Sequence, residues 1–174
     1  MIRHATVADA AAIAAIWNPI IRDTDVTFNP VEKTEADVAA LIADRQAAGH
    51  ATFVGLADGA VLGFASYAQF RAGPGYARTM EHTVNLAPAA RGHGLGRALM
   101  SKLSDHASAR GLRSLIGAIT ATNAASLAFH RSLGFAEVGR IPDAGWKFGQ
   151  YHALVLMQKL LDPPHGQGTR SGLE

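Results

Sequence analysis

"LAPAARGHGLGRAL" occupies residues 86–99 and places three glycines and two arginines within Arg91–Arg97. An apolar helical pattern follows at once, with Leu95, Leu99, Leu103 and Ala107 recurring until Gly111 stops it. Glycine this dense loosens a backbone, which helps where something must approach that backbone closely. Three glycine-loop chemistries compete. A Walker-type loop needs Lys-Ser/Thr after its last glycine, but Gly96 is followed by Arg97-Ala98. A dinucleotide fingerprint needs G-x-G-x-x-G near the first βα turn of its domain. Gly92 and Gly94 fit it, yet Arg97 holds the third position and the loop lies past mid-chain. The third chemistry is a strand–loop–helix whose amides cradle a pyrophosphate at the helix N-terminus, with Arg91 and Arg97 adding charge. A plain surface turn is the structural alternative.

Outward from this loop, the elements alternate. "MIRHATV" (1–7) reads as a short strand, and Thr6 with Asp9 forms a capping-box-like start for a helix to about Arg22. Thr34 and Asp37 repeat that signal before a helix with Val38, Leu41, Ile42 and Arg45 on a shared side, closed by Gly49. "ATFVGLADGAVLGFASYAQF" (51–70) is two apolar runs joined by Asp58-Gly59, a hairpin signal. After the loop at 71–78, "TMEHTVNLA" (79–87) is a strand ended by Pro88. "SLIGAIT" (114–120) is a buried-type strand, "NAASLAFHRSLGF" (123–135) a short helix ended by Gly134, and "YHALVLMQKL" (151–160) the last strand. The order predicts a three-layer α/β (α+β) domain, antiparallel strands first and βαβ units later. One domain over 1–161 and a flexible tail over 162–174 are expected.

Composition bounds the function. The chain has 174 residues, 48% hydrophobic and 17% charged, as compact globular proteins do. A net charge of +2 with no Lys/Arg-rich run argues against nucleic acid. There is no cysteine, and the eight histidines show no metal-ligand spacing, so no metal is expected. No run approaches the ~18 apolar residues of a membrane span. A soluble, cytoplasmic domain is the expectation.

The pattern Arg91-x-x-Gly94-x-Gly96-Arg97-Ala98 resembles the Q/R-x-x-G-x-G/A signature of the GNAT family of N-acetyltransferases. The likeness extends over most of residues 1–160. It implies the GNAT three-layer fold, with a mixed, mostly antiparallel sheet flanked by helices, and acetyl-CoA as cosubstrate. "YARTMEHTVNL" (76–86), "NAASLAFHRSLGF" (123–135) and "GWKFGQYHALVLMQ" (145–158) further resemble the phosphinothricin and methionine sulfoximine acetyltransferases, which acetylate the α-amine of glutamate-like amino acids. The chain departs from their usual pattern at Asn85, Trp146 and Gln150-Tyr151. A homodimer is also implied.

The resemblance implies cofactor contacts from Arg91, Gly92, His93, Gly94, Leu95, Gly96 and Arg97 in the loop. It adds main-chain contacts from Val84, Asn85 and Leu86, since an amide-bearing arm pairs with an open strand edge as a peptide does. Asn123 is a good N-cap on its own, and the resemblance adds a hydrogen bond to the cofactor arm. An amine is protonated near neutral pH, so transfer needs a base. Glu81 sits mid-strand in a weakly polar segment; it is either a solvent-facing or arginine-paired carboxylate or, as the resemblance implies, the general base. Alternation sends His82 to the opposite face, which predicts a structural histidine outside the Glu81 pocket. His130 shares a helical face with Asn123 and either protonates the leaving thiolate, shapes the thioester site or lies on the surface. Arg71, Tyr76, Arg78 and Lys147 are the candidates for orienting an acidic amino acid. The alternatives are an acetyltransferase for another small amine or a protein N-terminus and, of a different class, an acyl-CoA-binding sensor without turnover, which would need no Glu81.

Overall fold

The computed structural model describes residues 1–162; the expected tail, apart from Asp162, lies outside the described residues. Seven strands form one sheet. They are β1 (Ile2–His4), β2 (Thr52–Ala57), β3 (Ala60–Gln69), β4 (Thr79–Leu86), β5 (Ser114–Thr120), β6 (Ala136–Lys147) and β7 (Gln150–Leu160), in the order β1-β2-β3-β4-β5-β7-β6. The helices are α1 (Ala10–Asp23), α2 (Glu35–Ala47), α3 (Leu95–Ala109) and α4 (Ala124–Ser132).

Local signals explain most boundaries. At α2, Thr34 Oγ1 accepts from the Asp37 amide at 3.1 Å while the Asp37 carboxylate accepts from the Thr34 amide at 2.8 Å, a reciprocal capping box. Asp58 (φ 49°) and Gly59 (φ 79°) both take the left-handed region that a two-residue hairpin turn demands.

Strand alternation splits the core in two. Phe53, Ala65, Tyr67, Met80 and Leu115 pack under α3 and α4 with Leu99, Leu103 and Leu127. Val54 and Phe64, on the other face, pack under α1 and α2 with Ile13, Val38 and Ile42. Each such side chain contributes roughly 1.5–3 kcal/mol when taken out of water. The three layers follow from this.

Two expectations are corrected. β6 carries no strand signal in the sequence because it is an edge strand, exposed along nearly its whole length, with Gly139, Pro142 and Gly145 breaking any alternation. Only β4–α3–β5 forms a parallel unit. β7 returns between β5 and β6 and pairs antiparallel with both, so the chain does not continue as βαβ.

Candidate active site

The parallel pairing of β4 with β5 runs only from Thr79↔Ser114 to Glu81↔Ile116. Beyond that point the strands are unpaired, while β4 stays paired with β3 as far as Leu86. The β5-facing edge of Thr83, Val84, Asn85 and Leu86 therefore offers backbone groups without a strand partner. A cavity of about 300 Å³ fills the opening. Glu81, His82, Asn85, Asn123 and His130 border it, and Val26, Thr27 and Phe28 wall it from the segment after α1.

Glu81 is the only carboxylate on this cavity among the described residues. Glu81 is an exposed residue, yet burial of its carboxyl by the surrounding protein drives it upward, with Arg45 opposing that shift. Arg45 is a functional candidate that the sequence reading passed over as part of an amphipathic face. It borders a second, small cavity of about 20 Å³ with Glu81 and Thr83, and its buried Nε has no hydrogen-bond partner among the described residues. Burial pushes the Arg45 guanidinium down, with Glu81 among the charges that hold it up. The signal was available as the lone cation on an otherwise apolar helix side.

His82 does not stand apart, contrary to the alternation argument. It borders the same cavity as Glu81 because no neighbouring strand fills the gap beyond Glu81, and residues of both faces reach it. Its Nδ1 meets the Ile116 carbonyl at 2.8 Å, and its Nε2 meets Nε2 of His130 at 2.9 Å. His130 is 3% exposed and its Nδ1 meets the Ser126 carbonyl at 2.7 Å, so it is no surface residue. Asn123 caps α4, Oδ1 accepting from the Ser126 amide at 3.0 Å, and also borders the cavity.

The glycine loop lies outside the cavity, beyond the C-terminal end of β4. Gly92 and Gly94 have φ of 81° and 80°, and a Cβ on either would meet nothing within 4 Å, so the turn itself requires glycine. Gly96 serves packing instead, since a Cβ there would press on Leu86 and Phe129 at 3.3 and 3.4 Å. The six consecutive amides Gly92–Arg97 find no hydrogen-bond acceptor among the described residues. They stand at the N-terminus of α3, where an anion is stabilised. Arg97 is tied to α4 through Ser132 Oγ at 3.0 Å, while Arg91 and His93 stay exposed.

Lys147, expected as a substrate contact, borders neither cavity. Its ammonium is buried and donates to the carbonyls of Ile21, Thr24 and Thr27, using all three of its protons. It fixes the 21–28 segment, which Thr122 also holds through Asp25 at 2.8 Å and which packs Phe28 on Gly145. Lys147 thus builds the cavity wall. Arg71, Tyr76 and Arg78 lie exposed on the loop before β4, and none borders either cavity.

This arrangement is that of an N-acetyltransferase. The chain belongs to the acetyltransferase (GNAT) family, whose model matches residues 17–135, and is an acetyl-CoA-dependent enzyme of that kind. It is 40% identical over 163 residues to an L-methionine sulfoximine/L-methionine sulfone acetyltransferase of Pseudomonas aeruginosa, covering 93% of this chain and 95% of the relative. A solved Sinorhizobium meliloti phosphinothricin acetyltransferase in complex with acetyl-CoA superposes with a TM-score of 0.89 at 31% identity, covering 95% of this chain and 94% of that one. A ribosomal-protein-alanine N-acetyltransferase from Brucella melitensis superposes at 0.90 with 39% identity, covering 92% and 99%. No described helix is long and apolar enough to cross a membrane.

Proposed function

We propose that this chain transfers acetyl from acetyl-CoA to the α-amine of a small glutamate-like amino acid, with phosphinothricin, methionine sulfoximine and methionine sulfone as the best-matched acceptors. The observation that carries the reading is the cavity at the β4–β5 opening, where Glu81 is the only carboxylate among the described residues and His82 and His130 share the lining. About 300 Å³ is at the lower end of small-molecule sites. The names of the Pseudomonas and Sinorhizobium relatives point the same way.

The residues fit the cosubstrate. Free amides of Gly92–Arg97 suit a pyrophosphate, and the open β4 edge at Val84–Leu86 suits an amide-bearing arm. Asn123, at the cavity, would hold that arm near its thioester end. Acetyl-CoA, when bound, supplies the activated acetyl group. Glu81 takes a proton from the acceptor ammonium, for which its raised carboxyl is suited, and the neutral amine attacks directly. Arg45 would receive the acceptor's carboxylate, the exposed Arg71 and Arg78 would add positive charge that attracts an anion, and Tyr76 would offer a hydroxyl to it. The β6–β7 hairpin, with Trp146, Phe148 and Tyr151 all at least 59% exposed, is our candidate surface for pairing with a second copy.

The test is thiol release from acetyl-CoA with a panel of free amino acids and peptides. Release with glutamate analogues and not with peptides supports the reading. Release only with alanine-ending peptides overturns the substrate class, and tight acetyl-CoA binding without release by any amine favours a sensor.

A further inference from the structure

With each ring donating to its nearest carbonyl, the short contacts of His82 and His130 use one more proton than the neutral pair holds. Each Nδ1 faces a backbone carbonyl, Ile116 at 2.8 Å and Ser126 at 2.7 Å, and a carbonyl only accepts; the Ser126 hydroxyl stands farther from His130 Nδ1, at 3.3 Å. The two short carbonyl contacts therefore favour a proton on each Nδ1 over a hydroxyl donated from Ser126 to His130. Each neutral imidazole has only one, so both Nε2 atoms would present lone pairs to each other across 2.9 Å. A single additional proton turns that contact into a charge-assisted bond. Three contacts need three protons, and the neutral pair holds two.

We infer that His82 and His130 act as one unit that takes up a single proton between their Nε2 atoms and delivers it to the leaving sulfur. This rests on the acetyl-transfer reading above. Within it, His82 is a positioning residue and acts through His130.

The surroundings are built for such a pair. Gly117 lies under both rings, and a Cβ there would come within 2.9 Å of His82 Cε1 and 3.4 Å of His130 Cδ2. Phe135 packs against both rings at 5.2 Å, and Phe129 stands edge-on to His130 at 5.3 Å. From β4 the facing ionisable group is Glu81; β5 and β6 present none, and on α4 Arg131 points outward to Glu137 at 3.5 Å. Burial pushes both imidazoles below their ordinary range, His82 to about 3 with His130 adding to the effect, which opposes a second proton on the pair; the Nε2–Nε2 bond is what offsets burial for the first.

The proton inventory closes. The amine nitrogen bonds to the carbonyl carbon, the carbon–sulfur bond breaks, and its electron pair goes to sulfur, which takes the shared proton. The acceptor's ammonium loses two protons in all. One recharges the histidine pair and the other leaves to solvent by way of Glu81.

The test pairs nitrogen-15 histidine NMR across pH with the pH dependence of kcat. In the wild type we expect both rings to titrate together, with one proton taken up and both Nδ1 atoms protonated throughout. In His82→Gln, His130 should titrate alone at lower pH, kcat at neutral pH should fall about tenfold or more, and acetyl-CoA affinity should hold. Independent titration of the two rings in the wild type overturns the shared proton. Joint titration with an unmoved kcat profile in His82→Gln overturns its role in transfer. If no amine is acetylated while the rings still titrate together, the acetyl-transfer reading and delivery to sulfur fall and the shared proton stands.

Discussion

Arg45 on α2 and Glu81 on β4 border the same small cavity, and burial drives the Glu81 carboxyl up while the Arg45 guanidinium holds it back. The pair links the helix layer to the reacting edge of the sheet. Glu81 as a base works only when ionised, so Arg45 extends its working range to lower pH.

Replacing Arg45 by Gln removes the opposing charge and lets burial raise Glu81 further. The acid limb of kcat/KM should move to higher pH, and KM for a carboxylate-bearing acceptor should rise by about tenfold, the size of one charge-assisted hydrogen bond. Steady-state kinetics between pH 5 and 9 checks both. An unmoved limb with unchanged KM would remove Arg45 from the site.

Lys147→Met should cost about 2–4 kcal/mol of stability, because three buried carbonyls lose their shared donor. It should also weaken acceptor binding through the loosened wall at Thr27 and Phe28. Chemical denaturation and KM for the acceptor are the measurements. A fully stable variant with raised KM alone would restore Lys147 as a direct substrate contact.

Gly94→Val tests the loop. The left-handed φ of 80° resists a β-branched residue, while open space surrounds the missing Cβ, so a clash within the protein is not at issue. We expect at least about tenfold weaker acetyl-CoA binding by calorimetry, from a backbone strain of roughly 1–2 kcal/mol. A circular dichroism spectrum like the wild type should accompany it.

Acid stability has its own anchor. Asp9 accepts two hydrogen bonds from Arg3, at 2.7 and 2.8 Å, and one from the Thr6 amide; the Arg3 contact leads in holding its carboxyl at about 2, below the ordinary 3.8. A depressed carboxyl stabilises the fold fully above its unfolded value, and that contribution is lost as pH falls from about 4 towards 2. Asp9→Asn should therefore destabilise at pH 7 by about 1–3 kcal/mol and flatten the stability curve between pH 4 and 2. Urea midpoints across that range decide it.

Elements with local punctuation were readable in the chain. Thr34 with Asp37, Asp58-Gly59 and Gly134 each fix a boundary through their own backbone or side chain, and the glycine run together with the GNAT resemblance points to the anion loop we propose. What escaped depends on contacts between distant segments. β6 is defined by its pairing with β7, not by its own pattern. Lys147 is used by carbonyls some 120 positions earlier in the chain. His82 reaches the cavity because β5 leaves β4 after Ile116, an event that alternation along one strand does not register. Arg45 becomes meaningful only when α2 is laid over Glu81.

The most direct single measurement is thiol release by Glu81→Gln beside calorimetric binding of acetyl-CoA. We expect affinity within about twofold of the wild type, because the anion loop and the β4 edge are untouched, and turnover lowered by roughly 10²–10⁴-fold. Turnover equal to the wild type, with binding intact, would contradict proton removal by Glu81 and with it the central account of this site.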